Sequence, residues 1–472
     1  MRVNRRGFLS TGVAGVAAVS SKAADAAIVE STHRTLSPRV EFLNNPLGLE
    51  TPQPRFSWRI EASGRNIVQG AYRILVADRR ENLAPGKAIW DSGRVPGAAC
   101  TEIPYAGPEL ESRQRCYWQV ETWCGGASNK SEAGWFEMGL LSATDWRAGW
   151  LAAEDDLMRA DREAGFDWIW ASERPNAQGG RGFRYEFDLR QRPAEAVLFL
   201  AGKSKIDALW VNGISVDLPD GPIATNLMSR IELRGLKRGR NTLAVRASAD
   251  NTLIPGAGIG GQLRLKYKNG SIQRLTSSKS WKTAFVRDDS WTASGFKDSD
   301  WSEAAAPKIA PQTIPWITPA MYMRRDFVAT KKIARARLYA TALGAYEAHI
   351  NGARIGDAHM APDYTNPSET LMYQVYDVTD VVRPGENTIG LWVGDGWYAS
   401  HFSIAGRYCF GPAPRRVRAQ LELTYEDDAT EYVTTDGDAW RVHQSPILYS
   451  DVYAGETYDA RLEQPGWAKE GF

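Results

Sequence analysis

GAYEAHINGARIGDAHMAPDYTNPSETLMYQVYDVTDVVRPGENTIGLWVGDGWYAS, residues 344–400, decides the reading of this chain. The alternating run Tyr346-Glu347-Ala348-His349-Ile350 leads into Asn351-Gly352, a pair that readily takes the positive φ of a tight hairpin turn. Downstream, Val382-Arg383-Pro384-Gly385-Glu386-Asn387-Thr388-Ile389 is a basic glycine turn opening an apolar strand. The same two features occur earlier. Ala208-Leu209-Trp210-Val211-Asn212-Gly213 is followed by Leu236-Lys237-Arg238-Gly239-Arg240-Asn241-Thr242-Leu243.

Working outward, the rest also reads as strand. RCYWQVETWC (115–124) places Cys116, Trp118, Val120, Thr122 and Cys124 on one face, as a period of two requires. AYRILVAD (71–78), AVLFLAG (196–202), QLRLKY (262–267), ARLYATALG (336–344) and VRAQLELTY (417–425) are of strand length, and Gly, Pro, Asn or Asp bounds most such runs. No segment sustains a long helical period. The expected fold is all-β: three consecutive sandwiches and no barrel of helices. The first, residues 31–139, is read as fibronectin- or immunoglobulin-like. The second, 140–318, opens with ATDWRAGWLA and closes in the Pro-rich APKIAPQTIPWITP. The third is 320–472. The shared repeat makes the last two related jelly rolls of the galactose-binding-like kind.

Composition removes several function classes. With 57 basic and 56 acidic residues the net charge is +1, which leaves no footprint for nucleic acid or an anionic membrane. The 18 Trp suit sandwich cores and sugar stacking alike. Cys100, Cys116, Cys124 and Cys409 form no CxxC pair, and buried free thiols are expected. The five His are scattered, without metal or triad spacing. Residues 1–27 read as a twin-arginine (Tat) signal peptide. Arg5-Arg6 precedes Phe8-Leu9, a Gly/Ala-rich stretch follows, and Ala24-Asp25-Ala26 resembles a cleavage site. No other stretch approaches the ~20 apolar residues of a membrane span. The expected location is periplasmic or secreted.

The third block closely resembles the N-terminal sandwich of bacterial α-L-rhamnosidases of glycoside hydrolase family 78. The resemblance rests on motifs in register. These are Tyr346-Glu347-Ala348, Asn351-Gly352, Ala361-Pro362-Asp363-Tyr364-Thr365, Tyr376-Asp377-Val378-Thr379, Gly394-Asp395-Gly396-Trp397-Tyr398, Ser450-Asp451-Val452-Tyr453 and Gly455-Glu456-Thr457-Tyr458-Asp459-Ala460-Arg461. NNPLGLETPQPRFSWRI (44–60) and WDSGRV (90–95) look like the fibronectin-like domain that begins many such enzymes, and DDSWTASGFKDSDW (288–301) like the jelly roll often inserted there. The family's inverting acid/base pair belongs to an (α/α)6 barrel C-terminal to this region. The family's Cys-Pro-x-Arg-Asp-Glu-Arg-like stretch has no match here, so no catalytic residue is assigned. The acidic clusters, Glu154-Asp155-Asp156 among them, read as solvated loops.

The resemblance implies a non-catalytic accessory region of an enzyme that releases terminal α-L-rhamnose. The implied partners are rhamnose-containing glycans and a barrel present in cis or as a separate chain. The alternative is a free-standing secreted L-rhamnose-binding protein. Asp395, Trp397, Tyr398, Asp451, Glu456, Tyr458, Asp459 and Arg461 are the candidates for sugar contact or barrel docking, with Glu456, Asp459 and Arg461 as an interdomain ion network. No cofactor is required. Asp217, Asp220 and Asn226 in DLPDGPIATN (217–226) offer the hard oxygens that calcium prefers, and a plain polar loop is the other reading. The C-terminal stretch is expected to be a seam, with Tyr453, Tyr458 and Trp467 poorly buried and residues 462–472 loosely ordered.

Overall fold

The computed structural model describes residues 33–171, 179–218, 227–249, 257–307, 316, 318–400, 414–453 and 455–472. The signal-peptide reading and Cys409 lie outside them. The chain divides into two compact units, Met1–Gly139 and Leu140–Phe472.

In the first unit, β1 (His33–Val40), β3 (Arg55–Ala62) and β7 (Ile103–Pro104) form one sheet. The other runs β2 (Leu47–Leu49), β10 (Gly134–Met138), β8 (Arg115–Cys124), β4 (Gln69–Ala77), β5 (Trp90–Asp91), with β6 (Val95–Pro96) on β4 and β9 (Ala127–Lys130) on β8. Alternate β8 residues from Cys116 to Cys124 are buried. Phe56, Trp58, Tyr72, Trp118 and Phe136 share one core. The Phe56 and Trp118 rings lie 4.6 Å apart in the tilted geometry that aromatic quadrupoles favour. Cys100, Cys116 and Cys124 are free thiols, and burial pushes Cys116 up to about 12.

The second unit holds two sandwiches of one topology. In the first, β15 (Ile214–Val216), β14 (Lys205–Val211), β17 (Gly239–Ala249), β12 (Gly179–Leu189), β20 (Lys282–Phe285) and β21 (Ser302–Glu303) form one sheet. The facing sheet is β16 (Leu227–Glu232), β13 (Glu195–Gly202), β18 (Ile259–Lys266), β19 (Ile272–Thr276). In the second sandwich the order is β25 (Ala353–Ile355), β24 (Ala345–Ile350), β27 (Gly385–Gly394), β22 (Met321–Ala329), β30 (Arg441–Gln444). Its facing sheet is β26 (Gln374–Asp377), β23 (Ile333–Leu343), β28 (Arg416–Tyr425), β29 (Thr430–Thr434). Strand β12 thus answers to β22, β13 to β23, and so on to β20 and β30.

Side chains repeat with the strands. Asn212 Nδ2 donates to Gly235 O and to Asn241 Oδ1, while its own Oδ1 accepts from Thr242 N. Asn351 does the same toward Val381 O, Asn387 Oδ1 and Thr388 N. Both Asn212 and Asn351 have positive φ, 53° in each case, which Asn tolerates better than most residues. Asn241 and Asn387 each close their basic turn, accepting from Lys237 N or Arg383 N and donating back to carbonyls at both ends. The side-chain amides of buried Asn241 and Asn387 are thereby paired through both oxygen and nitrogen, as burial requires.

ATDWRAGWLA, read with the middle block, lies instead on the second sandwich. There β11 (Leu151–Ala152) pairs with Val417 and Arg416, Gln420 Oε1 accepts from Arg147 N, and Thr435 Oγ1 donates to Gly149 O. The first sandwich receives its own lead-in the same way, through Ser277 Oγ to Asp167 O and the Ile169–Ile259 bridge. One sandwich is therefore inserted within the other, after Ala153. Helix α1 (Asp156–Ala164) joins them. Its nine residues carry too few apolar side chains to announce a helix, and of the acidic cluster read as a solvated loop only Asp156, the first helical residue, is fully exposed. Asp155 caps it by accepting from Met158 N at 2.8 Å, and Glu154 is buried against Arg162. Met158 packs on the second sandwich. Buried Asp161 holds Arg264 at 2.5 Å and Arg274 at 2.7 Å on the first.

The tail corrects the expectation of a loose end. Trp467 is 9% exposed, stacking on Tyr322 at 4.4 Å and meeting His349 edge-on at 5.2 Å. Its counterpart is Trp291, edge-on at 5.6 Å to Trp210, the strand residue equivalent to His349. Trp291-x-x-x-Gly295-Phe296 and Trp467-x-x-x-Gly471-Phe472 are thus a further repeated motif.

Candidate functional site

Among the candidates, the Gly394–Tyr398 loop and the C-terminal hairpin are neighbours. The hairpin pairs β31 (Ile447–Asp451) with β32 (Gly455–Tyr458). Ser450 Oγ accepts from Asp395 N, and Ser400 Oγ accepts from Val452 N, both at 3.2 Å. Gly396 has φ of 53°, and a Cβ there would meet Ala345 at 2.7 Å, so the loop needs glycine.

Within the loop the roles separate. Asp395 is 2% exposed and ion-paired with Arg415 at 3.0 Å. Arg415 also donates to Thr318 O and Pro319 O. This carboxylate anchors the segment before β22 and does not face solvent. Tyr398 is buried as well. Trp397 is half-buried, and its ring meets that of Tyr364 edge-on at 5.4 Å. The Ala361–Thr365 and Gly394–Tyr398 motifs therefore meet, around a hollow of about 20 Å³ lined by Gly344, Pro362, Asp363, Trp397 and Tyr398. That is room for roughly one water. A sugar could be held here only on the outer ring faces of Tyr364 and Trp397, not enclosed.

On the hairpin, Asp451 is buried and accepts from Tyr453 N at 2.9 Å, fixing the turn. Tyr453 is 63% exposed and Tyr458 46% exposed. The Tyr458 hydroxyl donates to Glu463 at 2.8 Å, and that bond raises its pKa. Arg461 binds Asp459 through Nε and Nη2, at 2.8 and 2.6 Å, and holds its carboxyl below the usual range. Arg461 is exposed and also lies within electrostatic reach of Glu232 on β16, while exposed Glu456 makes no ion pair with either residue among the described contacts. Asp217 is exposed just past β15, whereas Asp220 and Asn226 of the calcium reading lie outside the described residues. A wider hollow of about 300 Å³, lined by Arg192, Glu195, Glu232 and Arg234, carried no sequence signal, because its walls come from two turns distant in the chain.

No general acid emerges among the described residues. Inverting hydrolysis of a glycoside needs a carboxylic acid with a raised pKa facing a second carboxylate across the sugar. Among the described residues, each carboxylic acid displaced from its ordinary range is displaced downward, as Arg73 does to Asp91 and Arg55 to Glu41. The described residues hold one short α-helix, which cannot build a helical barrel.

Comparison with known proteins agrees with this architecture. Residues 331–472 match the α-L-rhamnosidase N-terminal domain, and residues 36–142 the Rha78A-like N-terminal immunoglobulin domain. An α-L-rhamnosidase of Streptomyces avermitilis is 37% identical over 464 residues, which are 94% of this chain and 44% of that protein. The chain matches the N-terminal region of family 78 α-L-rhamnosidases. The crystal structure of the Streptomyces avermitilis α-L-rhamnosidase complexed with L-rhamnose superposes with a TM-score of 0.73 at 35% identity, over 93% of this chain and 44% of that one. An α-L-rhamnosidase of Formosa agariphila is 26% identical over 94% of this chain and 32% of its own. The chain thus spans under half the length of the relatives it matches.

Proposed function

We propose that this chain is the non-catalytic N-terminal portion of an α-L-rhamnosidase, whose sandwiches seat a helical hydrolytic domain supplied in cis or as a separate chain. The observation that carries this is the 44% share of the Streptomyces avermitilis relative matched by an all-β chain with no acid/base pair among its described residues. The seat is assigned to Tyr364, Trp397, Tyr453 and Tyr458, whose exposed or half-exposed rings lie on the loop and hairpin motifs. The test is a binding titration against the unmatched C-terminal part of that relative, produced separately. A complex is expected, weakened at least tenfold by Trp397→Ala with Tyr453→Ala. Absence of any complex with the unaltered chain overturns the seating role.

A second reading, a secreted L-rhamnose-binding protein, draws support from the same exposed rings, since indole and phenol faces stack on sugars. Calorimetry with L-rhamnose, with and without calcium, decides it, and flat titrations in both remove it. We also propose Tat export to the periplasm or beyond, from Arg5-Arg6 and the stretch that follows. Replacing both arginines with lysine should hold the protein in the cytoplasm, as read by fractionation.

A further inference from the structure

The two sandwiches of the second unit share a topology, yet their corresponding ends carry opposite charge. In the inserted sandwich Leu189 pairs with Gly239, Glu195 pairs with Lys266, and Leu233 N donates to Ala196 O. That register gathers the turns 190–195, 232–240 and 266–270 at one end. They hold eight Lys and Arg against two Glu. In the second sandwich Ala329 pairs with Gly385, and Val378 N donates to Ala336 O. Tyr425 N donates to Ala429 O there as Tyr267 N does to Ser271 O. The matching turns 330–335, 377–386 and 424–428 hold four basic residues against six acidic ones. Lys331 is paired with Asp427, and Lys332 with Glu426 at 2.6 Å.

The basic end is also concave. Its hollow of about 300 Å³ is lined by Arg192, Glu195, Glu232 and Arg234, at the lower edge of the range that small-molecule sites occupy. Both carboxylates already have a cation. Arg264 lies 3.2 Å from Glu195, and Arg230 lies 3.3 Å from Glu232. Arg192 and Arg234 are exposed, one from each turn, and neither makes an ion pair or a side-chain hydrogen bond among the described residues. The same turns add exposed Lys237, Arg238, Lys266 and Lys268. Like charges gathered this way repel one another, and an anion among them relieves the repulsion. A guanidinium presents parallel N–H donors that match the two oxygens of a carboxylate.

We propose that this end of the inserted sandwich binds an acidic saccharide, with a uronate carboxylate held by Arg192 and Arg234. The anion follows from the charge and the hollow, and the saccharide rests on the proposed role within a glycan-cleaving enzyme. The test is calorimetry of the full chain with trigalacturonate, with maltotriose as the neutral trisaccharide and with sodium phosphate as the free anion. Trigalacturonate should bind, more weakly as salt is raised. Maltotriose should give a flat titration, and phosphate should bind about tenfold more weakly or less. Arg192→Gln with Arg234→Gln should weaken trigalacturonate about tenfold or more at an unchanged thermal midpoint, since both side chains are exposed. Lys331→Gln with Lys332→Gln, at the matching end of the second sandwich, should leave binding as it was. A flat titration with trigalacturonate, equal binding of maltotriose or phosphate, or equal losses in the two double variants overturns the proposal. None of these readouts involves the hydrolytic domain, so failure here leaves the seating titration to be judged by itself.

Discussion

Asn351 Nδ2 lies 2.8 Å from Oδ1 of Asn387, and 3.1 Å separates the same atoms of Asn212 and Asn241 in the inserted sandwich. Each pair ties a hairpin turn to the glycine turn that opens the next long strand. Two copies of so specific a network, on identical strand orders, mark the two sandwiches as one design used twice.

Asn387 is buried, so Asn387→Ala leaves the Arg383 amide and the Arg383 and Gly385 carbonyls without their partner. The expected cost is about 2–3 kcal/mol. In urea, the transition of the C-terminal sandwich should move to lower denaturant. Asn387→Asp keeps the acceptor and loses the donors, and should fall between the two.

Asp395 and Trp397 should separate cleanly. Asp395→Ala strands Arg415 at a site where both side chains are 3% exposed, and should cost about 3–5 kcal/mol. Trp397→Ala should leave the denaturation midpoint nearly unchanged and weaken docking or sugar contact. The reverse pattern would move the functional role to the carboxylate.

The Arg73 guanidinium holds the Asp91 carboxyl below its usual 3.8. A depressed folded-state pKa contributes stability above the unfolded value, and that stability is lost as pH falls through the folded one. Asp91→Asn should therefore flatten the acid limb of the first unit's stability curve below about pH 4, with little change near neutrality in the slope against pH. Acid titration followed by Trp fluorescence reads it.

Burial pushes the Cys116 thiol up to about 12, and the thiolate is the reactive form. Iodoacetamide at pH 8 should leave Cys116 unlabelled in the native protein and modify it after unfolding. Cys100, which is partly exposed, should label earlier. Peptide mass spectrometry distinguishes them.

The strands were legible because their periodicity is local: β8 alternates residue by residue, and each Asn-Gly turn announces a hairpin. Asn241 and Asn387 were legible for the same reason. What escaped depends on distant partners. Helix α1 is short and polar, and it is held by Asp161 on Arg264 and Arg274, far along the chain. Asp395 looked like a surface acid until Arg415 was placed against it. Trp467 looked exposed because Tyr322 and His349, which cover it, come from separate strands. The lead-in strip at Leu151 could not be assigned from spacing, since its partner Val417 lies beyond the whole inserted sandwich.

The most direct measurement is hydrolysis of an aryl α-L-rhamnoside by the purified 472-residue chain. On the proposed accessory role, and with no acid/base pair among the described residues, the chain should release no aglycone above the buffer blank at any pH from about 4 to 8. Saturable turnover that copurifies with the chain would contradict the account.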